Sequence, residues 1–156
     1  MNLYNAIAEC LRQKGYIFND LTNKSITCLH FKQNVSKADM YTFSIRFYSS
    51  HISIEFIFMN IPDFYENLEP LQKLECLELI NEFNSATKFG KLYIKDWREM
   101  GFSVIDFRMD FMVKADNINY SSDEDYIQNI INAIEYFDEI LKDYEPKFRK
   151  VQALRF

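Results

Sequence analysis

The chain has 156 residues, of which 48% are hydrophobic and 17% aromatic, enough to bury a substantial core and too much for a disordered segment. Its net charge of −5 disfavours a nucleic-acid binder, which needs a surplus of Lys and Arg against phosphate. Three glycines and three prolines leave little material for linkers, so long regular elements joined by short turns are expected.

Residues 2–14 read as a helix with Leu3, Ile7, Cys10 and Leu11 on one side and Gly15 as its stop. Residues 16–21 form a loop or a short extended segment, and 25–32 a strand followed by a polar turn over 34–39. Tyr41, Phe43, Ile45 and Phe47 then alternate with Thr42, Ser44, Arg46 and Tyr48, the period of a strand buried on one face. The pattern resumes with Ile52, Ile54, Phe56 and Phe58 against His51, Ser53, Glu55 and Ile57. Connections this short make antiparallel hairpins.

A second helix starts at Pro70, where the missing N–H does no harm. Leu71, Leu74, Leu77, Ile80 and Phe83 are expected on its buried side, with Glu75, Glu78 and Glu82 pointing away. Gly90 opens a further hairpin, whose strands at 91–97 and 102–113 turn at Gly101. In the second of these, Ile105, Phe107, Met109, Phe111 and Val113 oppose Asp106, Arg108 and Asp110. Ser121 and Glu124 make a capping box for a last helix carrying Ile127, Ile130, Ile131, Ile134, Phe137 and Leu141, which is expected to end before Pro146.

The order is therefore α-β-β-β-α-β-β-α, an α+β fold with an antiparallel sheet and helices packed on one face. Residues 1–146 are expected to form a single domain. Residues 147–156 read as a basic C-terminal tail: they hold Lys147, Arg149, Lys150 and Arg155, and none of the 23 acidic residues.

The run Leu79, Ile80, Asn81, Glu82, Phe83, Asn84, leading into Lys88, Phe89, Gly90, Lys91, Leu92, Tyr93 and Ile94, resembles a motif of the YbjN-type family of bacterial sensory transduction regulators. In that family a helix ending in two asparagines precedes a strand that begins with a small turn. The similarity spans residues 1 to about 147 as an order of elements. The resemblance implies a fold like that of type III secretion chaperones and a non-enzymatic, often dimeric protein that binds another protein without a cofactor. It brings no catalytic residues with it. The aromatic load and the basic tail depart from many members and leave the partner open. Asn81 and Asn84 themselves read as structural, bonding nearby backbone and bridging to the next strand.

The candidate chemistries are weak. Cys28, His30 and His51 match no metal-ligand spacing. Asp106, Arg108 and Asp110 read as the solvated side of a strand rather than an acid–base site. Cys10, Cys28 and Cys76 lie in no activated motif, and an unpaired set of three suits a reducing compartment. Glu9, Arg12 and Lys14 interrupt any signal sequence, and the apolar run at 52–59 is too short to span a bilayer. A cytoplasmic location is expected, with neither membrane nor nucleic acid as partner.

What remains is apolar surface. If Leu92 and Ile94 face the core, Tyr93 and Trp97 point to the opposite face of the sheet, where Ile57 could join them and Arg46 and Arg108 could add polar selectivity. The leading expectation is a protein-binding or chaperone-like regulatory module, homodimeric and without cofactor or metal. The rival expectation is an immunity or antitoxin-like inhibitor that blocks a toxic enzyme with its acidic surface.

Overall fold

The structure, a computed structural model, describes residues 3–22, 25–31, 40–48, 50–59, 61–112 and 124–155. Its elements are α1 (Leu3–Gln13), β1 (Ile17–Thr22), β2 (Ser25–Phe31), β3 (Met40–Phe47), β4 (His51–Met59), α2 (Pro70–Ala86), β5 (Gly90–Trp97), β6 (Phe102–Met112) and α3 (Glu124–Val151). The strands follow the order β1-β2-β3-β4-β6-β5, and the pairs β1–β2, β2–β3, β3–β4 and β5–β6 are antiparallel. This is the expected α+β architecture with one more strand. β1 occupies the segment read as a loop or extended piece. Asn19 and Asp20 break its alternation, and its register with β2 slips between Phe18 and Asp20. The Ser121 capping box lies outside the described residues.

The chain divides into two compact units. The first comprises Met1–Phe56 and Asp110–Phe137. There α1 buries Leu3, Tyr4, Ile7, Ala8 and Leu11. Gly15, at φ 86°, ends the helix: its N–H donates to Arg12 O and that of Tyr16 to Leu11 O, both left-over carbonyls of the last turn. Across β3 and β4 the pairs Phe43–Phe56 and Ile45–Ile54 are in register and buried. Tyr4 meets Phe47 edge-on at 5.3 Å, which seats α1 on that face. The first half of α3 buries Ile127, Ile130, Ile131, Ile134 and Phe137.

The second unit comprises Ile57–Met109 and Asp138–Phe156. Its α2 helix is turned relative to expectation. The buried residues are Gln72, Cys76, Ile80 and Phe83, while Leu71, Leu74 and Leu77 face outward. A series of steps of three does not stay on one side of a helix, because each step falls short of a full turn by about 60°. The stripe that does hold its direction runs 72, 76, 80, 83. Gln72 fixes it from the start: its Oε1 accepts from Glu69 N at 2.9 Å, and its Nε2 donates to the carbonyls of Gln152 and Leu154. Phe83 sets the other end, packing edge-on against Phe107 and Tyr144.

The end of α3 also differs from expectation. The helix continues through Pro146 to Val151, so the basic segment begins as helix rather than as a tail. An internal proline costs about 3 kcal/mol through the lost hydrogen bond and the clash with the preceding turn. Phe148 and Val151 extend the apolar stripe of Leu141 and are buried, Phe148 completely and edge-on to Phe58. Burying two such side chains contributes roughly 1.5–3 kcal/mol each, enough to carry the helix past the proline.

Two substitutions test this packing. Phe148→Ala should lower unfolding free energy by about 3–5 kcal/mol in urea titration, whereas an unpacked tail residue would change it little. Gly90→Ala should also destabilise, by about 1–3 kcal/mol, because the added Cβ would lie within the Phe107 ring.

Candidate functional site

In the second unit the β5–β6 register places Leu92 opposite Phe107 and Ile94 opposite Ile105. Paired residues share a face, and Phe107 packs on Phe83, so this is the face that carries α2. Lys91, Tyr93, Lys95 and Trp97 therefore lie on the other face, opposite Arg108, Asp106, Val104 and Phe102 in turn. Their placement follows from the period of two.

The α2 helix locks this hairpin by its backbone. Asn84 donates from Nδ2 to Leu92 O at 3.0 Å and accepts from Leu92 N at 2.8 Å. One side-chain amide thus pairs both peptide groups of an edge-strand residue, as a neighbouring strand would. That is the bridging role read for Asn84 from sequence; Asn81 is exposed. Lys91 folds toward the same helix end, donating to the carbonyls of Asn84 and Thr87, where a cation suits the dipole. It thereby leaves the face, and Arg108 opposite it is spared a like-charge neighbour.

What stays on the face is a short row of rings and charges. Trp97 and Phe102 are half-buried, with ring centroids 5.7 Å apart. Lys95 Nζ stands 5.5 Å from the Trp97 ring centre and 3.7 Å from Asp106 Oδ2. Tyr93 OH donates to the same carboxylate oxygen at 3.4 Å. Asp106 is only 1% exposed, which corrects the expectation of a solvated acid. Its directly opposed and diagonal neighbours, Tyr93 and Lys95, are long enough to cover it while meeting its charge.

Of the residues expected to bind a partner, the structure brings Tyr93, Trp97 and Arg108 together on this face. Ile57 lies in the same unit, half-buried on β4. Arg46 belongs to the first unit, exposed on β3 in register with Ser53 and on the opposite face from Phe43 and Ile45. Sequence reasoning missed Lys95, whose only signal is its even spacing between Tyr93 and Trp97.

Reactive groups offer little elsewhere. His51 stacks on Tyr48 at 4.5 Å, and the side chains of Cys28 and His30 lie outside the described residues. Among the described residues no group of three or more His, Cys, Asp or Glu could hold a metal ion. Burial, with a smaller contribution from the Glu66 carboxylate, pushes the Cys76 thiol up to about 12, so it is a packing residue. Among the described residues no helix is long and apolar enough to cross a membrane.

No protein-family model and no curated protein matches the chain. A solved structure does: that of YbjN, a candidate transcription regulator from E. coli, at a TM-score of 0.58 and 9% identity. The match covers 94% of this chain and 96% of that one. The chain therefore has the YbjN fold, and the resemblance read in residues 79–94 is met at the level of architecture.

The shifted thiol gives a direct check. At pH 8 the thiolate fraction of Cys76 should be roughly a thousandfold below that of an ordinary cysteine. Peptide mapping after brief alkylation of the folded protein should find Cys76 unmodified, and unfolding should make it react.

Proposed function

We propose that this protein is a non-enzymatic binding module of a regulatory or chaperone-like kind, which takes a segment of a partner protein on the β5–β6 face. The observation that carries this reading is the row formed by Tyr93, Lys95, Trp97 and Phe102 on the face opposite α2. Aromatic side chains that are partly covered and held by neighbours lose little entropy when a partner completes their burial, and such residues dominate interface energies. Arg108 at one end of the row supplies polar selectivity, and Ile57 widens its apolar part. Arg46 on β3 provides a separate polar contact. The fold shared with a candidate transcription regulator supports a regulatory role rather than a particular partner. Cys10 and Cys76 are free thiols, consistent with work in a reducing cytoplasm.

Trp97 is the single tryptophan of the chain, so it serves as both anchor and probe. Trp97→Ala should weaken capture of the partner from host cells by about tenfold or more, near 1.4 kcal/mol. Its circular dichroism and melting temperature should stay close to those of the parent. Binding to the parent protein should shift the tryptophan emission to the blue. A variant that unfolds would place Trp97 in the core, and one that still captures the partner would move the site elsewhere.

A further inference from the structure

The outward side of α2 carries a second surface, on a different element from the β5–β6 row. Leu71, Leu74 and Leu77 are 49%, 52% and 38% exposed, three residues apart along the helix. Leucines at this spacing form an i±3 ridge, a shape that seats in the groove of another helix. Leu154 lies near the start of the ridge. At the first turn itself, Glu69, Pro70, Leu71, Gln72, Leu154 and Arg155 line an open recess of about 470 Å³, space for a bulky apolar side chain at the end of the ridge.

The charge beside these leucines is one-sided. On a helical wheel Glu78 falls between Leu71 and Leu74, and Glu75 flanks them. Neither makes an ion pair among the described residues. The other charges of the helix are occupied: Glu82 receives Tyr144 OH and faces Lys147, and Lys73 stands over the Tyr65 ring at 5.6 Å. The ridge therefore presents apolar surface with two carboxylates that have no ion-pair partner among the described residues, while the cations at its margins are turned elsewhere, Lys73 over Tyr65 and Arg155 onto Leu154 O.

We propose that this ridge docks a basic amphipathic helix of a partner protein, with apolar residues at three- and four-residue spacing and Lys or Arg alongside. Such a helix buries the leucines and brings cations to Glu75 and Glu78. A second copy of this chain is a poorer occupant. Pairing α2 with itself would bring Glu75 and Glu78 of both protomers into one apolar seam, with Lys73 and Arg155 only at its margins. An acidic helix meets the same obstacle.

The test uses the full chain and two labelled synthetic helices that share leucines at i, i+3 and i+7, one completed with lysines and the other with glutamates. By fluorescence anisotropy the lysine helix should bind at least about tenfold more tightly than the glutamate helix. Leu74→Gln combined with Leu77→Gln alters exposed positions only; it should weaken the lysine helix about tenfold while leaving the circular dichroism unchanged. Glu75→Lys with Glu78→Lys should reverse the preference. Equal binding of both helices, or lysine-helix binding indifferent to the leucine changes, would overturn the proposal. So would a dimer seen by light scattering that the leucine changes abolish, since a second copy would then be the occupant.

Discussion

Phe107 can lie close under α2 only because residue 90 has no Cβ. The Phe107 ring takes the place that a side chain at 90 would occupy, and its edge meets Phe83. That contact decides which face of the β5–β6 hairpin is inside. Leu92, opposite Phe107 in register, follows it inward, and Asn84 fixes both peptide groups of Leu92. With this arrangement set, the pleat leaves Tyr93, Lys95 and Trp97 no choice of side. A one-residue slip would exchange the two faces entirely. The aromatic row is thus a consequence of how a glycine and a phenylalanine share one space.

The legible parts of this fold are those in which a single period governs a whole element. Phe43, Ile45, Ile54 and Phe56 alternate without a break, and their burial follows directly. Gly15 and Gly101 sit at positive φ where a turn requires it. Errors arose where two periods compete. In α2, leucines at 71, 74 and 77 suggest a face that winds round the helix and cannot persist. Gln72 and Cys76, polar or small by inspection, hold the stripe that can. At Pro146 a local rule was overridden by burial further along, since Phe148 and Val151 reach the core only if the helix continues. Asn19 and Asp20 hid β1 in the same manner, because a strand can slip its register around two polar residues and still pair.

Asp106 shows what alternation cannot report. Period two assigns it a face but says nothing of how deeply the neighbours cover it. The carboxylate is buried, and one of its oxygens meets both the Tyr93 hydroxyl and the ammonium that also stands over Trp97. A pair of this kind adds little net stability, because desolvating both groups offsets their attraction. Its effect is positional. Lys95 is held between a buried carboxylate and an indole, which restricts the arrangement of the aromatic row; in the proposed function, less ordering would then remain to be done on binding.

The rotation of α2 that sequence periodicity misjudged also accounts for its exposed leucines. Phe83 can be inside only if positions 72, 76 and 80 are inside with it, and the geometry of the helix then sends 71, 74 and 77 outward. These leucines are only about half covered where they stand. Contiguous apolar side chains on the surface of a monomer carry a risk of unspecific association. Glu78, placed among them, makes that association costly unless a cation comes with the apolar surface. In the proposed docking, a ridge of leucine divided by a carboxylate would discriminate between partners: apolar contact alone leaves a buried charge unmet, and charge alone leaves the leucines in water. The interior demand of one phenylalanine and the exterior selectivity of the helix are two sides of the same turn.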